Sequence, residues 1–330
     1  MAARSGTRPP IRFGYKLPNC GGVLCPPEWA TPLSIDALAA NAVDAGFDSL
    51  WLHDHLVVPT ELQHLGELDF YEPVVTMGRL AAIYPEVQIG IATVVLPLRD
   101  PVLFTKQSTT LAAFHPGRLI FGVGLGRYES ESQALGLDDY NRRGKVANAW
   151  LDINEALLSQ GRASIETPFR RLREASMRPK RVGTGDPAIW VAGGSAAGVE
   201  RAARYGDGLI VASITPEEVA TLVAAVPVRQ VEPESTASAP GRSARLTIAL
   251  SATIARGAAT GSPPIGHGGL HVHASAIGGD VREIAETLKA YVSAGVDHFI
   301  LSFGTESLGK TREDARWFAT EVAPRVRAAR

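Results

Sequence analysis

The strongest constraint in this sequence is an alternation repeated eight times: a short apolar run, then a longer segment with helical spacing of its apolar residues. That alternation points to α/β architecture with a parallel sheet, because each strand needs a helical crossover before the next can run the same way. The runs are Ile11–Tyr15, Phe47–Leu52, Val87–Leu96, Arg118–Val123, Ala188–Ala192, Asp207–Ala212, Arg245–Ser251 and Asp297–Ser302. The helical segments are Leu33–Ala45, Tyr71–Ile83, Pro101–Phe114, Arg143–Ser159, Ser195–Tyr205, Pro216–Ala225, Asp280–Ala294 and Arg312–Val322. The last is expected to stop ahead of Pro324. Eight units in 330 residues fit a (β/α)8 TIM barrel with insertions after strands four and seven. An open doubly wound sheet is the competing architecture, but no Gly-rich dinucleotide fingerprint follows the first run.

Three stretches break the rhythm, at about 161–187, 230–243 and 256–279. The first is polar and basic, the second reads as a surface excursion, and the third is a Gly/His-rich loop on the face where barrels do chemistry. Residues 1–10 read as a disordered tail, and 11–330 as a single barrel domain. Hydrophobic residues make up 45% of the chain, ample for a large core. Its 33 Lys+Arg nearly balance 34 Asp+Glu, so charge argues against nucleic acid or an anionic membrane as a partner. No run approaches 18 uninterrupted apolar residues, so no membrane span is expected. The tail lacks the apolar region of a secretory signal, which makes the cytoplasm the expected compartment and reduced thiols the expected state of Cys20 and Cys25.

Barrel enzymes place their chemistry at the C-terminal ends of strands. Strand two ends in Leu52-His53-Asp54-His55, where two imidazoles and a carboxylate suit acid–base work; a turn-capping Asp54 with loop-lining histidines is the structural alternative. Strand four ends in Gly122–Gly126, then Arg127-Tyr128-Glu129, and such glycines let backbone approach a flat ligand. Strand five ends in Gly193-Gly194-Ser195 directly before a helix, where free amides suit a phosphate and Ser195 equally suits an N-cap. Trp51 and Trp190 lie inside strands and read as barrel packing. His267, His271 and His273 sit close in the late loop. A zinc site there is disfavoured for want of a Cys or nearby carboxylate other than Asp280, and substrate contact or a lid fits better. No Gly-x-Ser-x-Gly elbow marks a serine hydrolase.

Six segments, in order, resemble the luciferase-like monooxygenase superfamily, and are most similar to members dependent on the deazaflavin coenzyme F420. They are Phe47–Pro59, Val94–Leu111, Gly117–Asp138, Arg178–Val182, Ala188–Ile210 and Ala290–Leu301. The resemblance implies a tricyclic ring over the barrel mouth and a phosphate tail running to the helix after strand five. His55 then stands near the reactive face of the ring, with Asp54 orienting it or meeting the ring's polar edge. Ala92, Thr93 and Val94 correspond to a strand-three bulge with a non-prolyl cis peptide beneath the ring. Gly124, Leu125, Gly126 and Arg127 line the ring, although Arg127 replaces the family's usual aromatic residue. Glu131 keeps an acidic position of the family, against an alternative reading as a helix-start carboxylate. Gly193, Gly194 and Ser195 form the phosphate cradle. No metal is implied.

The function expected from this resemblance is hydride transfer between reduced coenzyme F420 and a small organic substrate. An FMN-dependent monooxygenase supplied by a partner reductase is the alternative, because one phosphate cradle serves both cofactors. A non-catalytic barrel binding flavin or a phosphorylated metabolite is a third reading, which the Asp54-His55 pair opposes. The resemblance allows a homodimer.

Overall fold

The structure is a computed structural model, and it describes residues 9–22, 25–137, 140–180, 186–227, 245–258, 260, 276–304 and 307–329. Its wall is made of β1 (Arg12–Lys16), β2 (Ser49–Leu52), β3 (Gln88–Val95), β4 (Leu119–Gly124), β7 (Ala188–Ala192), β8 (Gly208–Ala212), β9 (Thr247–Arg256) and β11 (His298–Phe303). These eight pair in that order, all parallel, and β11 returns to β1 to close the barrel. A closed parallel sheet sends all eight C-terminal ends to one rim, so their loops share a single mouth. The eight sequence-derived runs match these eight strands.

Strand periodicity divides the residues between two cores. Phe13, Tyr15, Leu50, Leu52, Ile89, Ile91, Leu209 and Phe299 face outward and are buried under the helices. Trp51, Ile120, Trp190, Ile210, Ala249 and Ile300 face inward and fill the barrel axis. Trp51 and Trp190 pack at 5.5 Å between ring centroids, as barrel packing requires. Below them a polar chain is completed inside the barrel. The Trp51 indole N–H donates to Ser49 Oγ at 2.8 Å, and Ser49 Oγ lies 2.9 Å from His298 Nε2. The serine hydroxyl accepts from Trp51, so its own proton is free to donate to His298, which then acts as a neutral acceptor.

The covering helices are α1 (Pro32–Asp44), α2 (Pro73–Ile83), α3 (Pro101–Phe114), α5 (Arg143–Ser159), α6 (Ala196–Tyr205), α7 (Pro216–Ala225), α8 (Val281–Ala294) and α9 (Leu308–Trp317), with a short α4 (Glu129–Ala134) at the mouth. Their starts follow local chemistry. Asp100 caps α3 through the amides of Val102 and Leu103, and reciprocal capping boxes open α7 (Thr215 with Glu218) and α8 (Asp280 with Glu283).

Four features depart from the sequence expectations. The stretch after α5 contains an antiparallel hairpin of β5 (Ala163–Glu166) and β6 (Arg171–Ala175). β9 runs to Arg256 instead of ending at Ser251. The strand β10 (Ala276–Gly279) pairs in parallel with its outer half, on the edge that β8 covers lower down. The last helix does not stop ahead of Pro324: a π-helical turn at Phe318–Val322 leads into α10 (Ala323–Arg327). The π turn resets the hydrogen-bond register, so proline falls in a new first turn, where its missing N–H costs nothing.

Candidate functional site

At the mouth, His55 follows β2, with 12% of its side chain exposed. Its ring packs against Phe70 at 5.4 Å and Tyr128 at 5.7 Å between centroids. His55 Nδ1 lies 3.1 Å from Glu131 Oε2, and the other oxygen of Glu131 accepts the Leu56 N–H at 2.8 Å. Glu131, in the first turn of α4, is 1% exposed. An ionised carboxylate only accepts, so Nδ1 carries the proton of this bond and Nε2 is left as the working nitrogen. Nε2 has no partner among the described residues and is not sealed from solvent. A polarised imidazole with one open nitrogen can take or give a proton at a bound molecule.

Asp54 does not orient His55. Its carboxylate accepts from Val95 N at 2.8 Å, Arg99 Nε at 3.0 Å and Arg99 Nη2 at 2.6 Å. Arg99 Nη2 also reaches Glu72 Oε1 at 2.8 Å. The bidentate pair is buried, with 0% of the Asp54 side chain and 9% of the Arg99 side chain exposed. A carboxylate saturated in this way ties the exit of β2 to that of β3 and has little capacity left for a ligand. The adjacent Asp54 and His55 point to different partners, and the acidic position of α4 supplies the orienting carboxylate.

β3 carries the expected irregularity. Its register with β4 shifts between Ile91 and Val94, and the Ala92–Thr93 peptide is cis. Ala92 packs against the inner core, whereas Val94 is fully buried in the outer one, so the Val94 side chain does not reach the mouth. Thr93 comes so close to β4 that a Cβ on Gly124 would sit 2.4 Å from its Oγ1. Gly126 has φ +78°, and a Cβ there would meet Val95 at 2.7 Å. Both positions require glycine. Leu125 is half-buried, and Arg127 is exposed with its guanidinium 5.9 Å from the Tyr128 ring centre.

Past β7, Ser195 is the N-cap of α6, its hydroxyl accepting the Gly198 N–H. The hydroxyl is therefore engaged in capping. The backbone amides of Gly194, Ser195, Ala196 and Ala197 have no acceptor among the described residues and lie at exposed positions. They point out of the helix end, where they can meet an anion.

Two residues at the mouth, Lys16 and Asn19, escaped the sequence reading. Lys16 ends β1 on the same face as Gly14, whose Cβ position abuts Trp51, so it faces into the barrel; it is 7% exposed. Burial lowers its pKa to about 8. Beside it, His53 has a buried Nε2 with no partner among the described residues. Burial, then the nearby Lys16 charge, pushes the His53 pKa well below its usual value. Asn19, fully buried, clasps the backbone here: its amide donates to His53 O at 2.8 Å and Tyr71 O at 3.1 Å, and accepts from His53 N at 2.8 Å.

Cys20 and Cys25 are buried free thiols. His267, His271 and His273 lie outside the described residues, as do residues 1–8 and 228–244. Among the described residues no three His, Cys, Asp or Glu side chains gather at metal-binding spacing, and no helix is long and apolar enough to cross a membrane.

The sequence model described as luciferase-like monooxygenase matches residues 11–260. The alkanal monooxygenase alpha chain of the Kryptophanaron alfredi symbiont is 28% identical over 169 residues, covering 51% of this chain and 45% of that one. An F420-dependent glucose-6-phosphate dehydrogenase of Kineococcus radiotolerans is 28% identical over 211 residues, covering 62% and 57%. The chain thus spans about half the length of the curated relatives it matches. Among solved structures, an F420-dependent secondary alcohol dehydrogenase in complex with an F420-acetone adduct superposes with a TM-score of 0.74 at 17% identity, covering 96% of this chain and 99% of that one. A long-chain alkane monooxygenase superposes with a TM-score of 0.73 at 14% identity, covering 98% and 92%. At these identities the superpositions speak to the fold alone.

Proposed function

The chain belongs to the luciferase-like monooxygenase family, and from that premise we propose that it is an oxidoreductase working with a flavin-type cofactor at the barrel mouth. Coenzyme F420 is the preferred cofactor, and hydride transfer to or from a small organic substrate the preferred reaction. The observation that carries this reading is His55, anchored through Nδ1 to buried Glu131 with Nε2 open.

The residues fit such a cofactor on three counts. Gly124 and Gly126 let Thr93 and Val95 pack closely against the end of β4, which holds the cis-peptide bulge at the rim where a flat ring would lie. The unpartnered amides at the start of α6 suit a phosphate. The orphaned His53 Nε2 suits a polar ring edge. When bound, the cofactor supplies the hydride chemistry. The chain's own residues hold it, exclude water and manage one proton at His55 Nε2. His55, Thr93, Gly124, Gly126 and the Gly193–Ser195 turn are the residues assigned to this task, with Glu131 positioning His55.

A second reading, FMN-dependent oxygenation with reduced flavin from a separate reductase, uses the same phosphate cradle and is favoured by the likeness to an alkanal monooxygenase chain. Titrating the purified protein with FMN and with coenzyme F420, followed by fluorescence quenching, decides between them. Tighter binding of F420 supports the first reading and tighter binding of FMN the second. Binding of neither would remove both.

A further inference from the structure

This inference rests on the cofactor reading and concerns the floor of the mouth. Lys16 is the last residue of β1, almost wholly out of water, and its ammonium has no hydrogen bond or ion pair among the described residues. The two carboxylates described at the mouth are already occupied. Asp54 is saturated by Arg99 and Val95, and Glu131 by His55 and Leu56. His53 Nε2 is buried and unpartnered as well. On the other flank, Tyr15 pairs with Leu301, so the next step of the register brings Lys16 beside Ser302. The Ser302 hydroxyl lies 2.8 Å from that of Thr253 on β9. An ammonium held in a polar floor with no counter-charge is destabilising on its own account, and a ligand that brings negative charge offsets that cost.

We propose that Lys16, with His53 beside it, is the counter-charge for the cofactor ring once the ring has taken up a hydride. Addition of a hydride to a neutral ring delivers two electrons and one proton and leaves the ring with one extra negative charge. The donor of the hydride, an alcohol-type carbon of the substrate or a reductase, loses the same two electrons. The extra charge spreads onto the ring's carbonyl and nitrogen edge, which a fixed ammonium and an imidazole N–H are suited to bind. Lys16 thereby favours the reduced cofactor over the oxidised one, and it does so whether the partner substrate is reduced or oxygenated.

The test measures affinity and redox preference, apart from turnover. Wild type, Lys16→Met and Lys16→Arg are each titrated with oxidised F420 and FMN. The bound cofactor is then reduced with dithionite against a reference dye, and its midpoint potential compared with that of free cofactor. In Lys16→Met, the affinity for the oxidised form should stay within about twofold while the preference for the reduced form falls roughly tenfold. For a two-electron couple that is about 30 mV. Lys16→Arg keeps the charge and should keep the preference. The thermal midpoint of Lys16→Met should not fall, because an uncompensated charge is removed, and this separates the proposed role from a structural one. A Lys16→Met protein that binds the cofactor with an unchanged preference overturns this inference alone. A wild type that binds neither cofactor overturns the cofactor reading and this inference with it.

Discussion

His55 and Asp54 show how adjacent side chains take unrelated duties. His55→Ala should cut turnover about 100-fold to 10,000-fold, the usual span of acid–base catalysis, with cofactor affinity unchanged. Glu131→Gln should also lower turnover without touching affinity. A glutamine amide can donate to Nδ1, which moves the imidazole proton to Nε2 and closes the open nitrogen. Steady-state kinetics beside a cofactor titration check both, and activity within a few-fold of wild type in His55→Ala would end the assignment. Asp54→Asn should act on stability, losing about 3–5 kcal/mol because Arg99 is left buried without its full partner; a denaturant midpoint measures it. At this scale the sequence was readable in part. The Asp54-His55 dipeptide and Glu131 were visible as chemical types. Their pairing was hidden because it depends on Arg99 and Leu56, set by the loops' paths and not by spacing. Lys16 was within reach. Two-residue periodicity puts it on the face of Gly14, so a lysine closing an apolar strand had to point into the barrel.

Among elements, strands were more legible than what joins them. Burial under helices makes a barrel strand a compact apolar run, and seven of the eight were found within two residues of their bounds, β9 alone running five residues further. The hairpin of β5 and β6 was missed because an exposed two-stranded ribbon has little apolar alternation to show. The run past Pro324 was missed because a proline normally ends a helix, and only the preceding π turn makes it tolerable there. The start of α6 was legible both ways, since an N-cap serine and a phosphate site share one signature. Gly194→Val separates them. A Cβ at this position would lie 3.6 Å from Leu222, an ordinary contact, so the fold should survive. The branched side chain would cover the free amides, and cofactor affinity should weaken roughly tenfold, in line with helix-end charge interactions of about 1–2 kcal/mol. An unchanged dissociation constant would remove the cradle.

At the scale of the whole molecule, burial keeps two histidines neutral. Burial lowers the His298 pKa to about 3 from its usual 6.5, and His53 is also held low. Between those two values the unfolded chain binds a proton at His298 that the folded chain refuses. Stability from this residue is therefore complete above about pH 6.5 and declines on acidification, by up to about 1.4 kcal/mol per pH unit for one proton. In His298→Gln, urea melts at several pH values should show a shallower acid decline than wild type; equal slopes would contradict the account. β9 and β10 have a different consequence at the scale of the whole fold. The chain leaves the barrel at Arg256 and is back in register with Thr253 at Ala276, so the excursion starts and finishes on the same stretch of wall. Doubling the length of such a hoop costs only about 0.6 kcal/mol in closure entropy. What joins those two fixed ends can thus change in length by descent or by design, while the staves beneath keep their alignment.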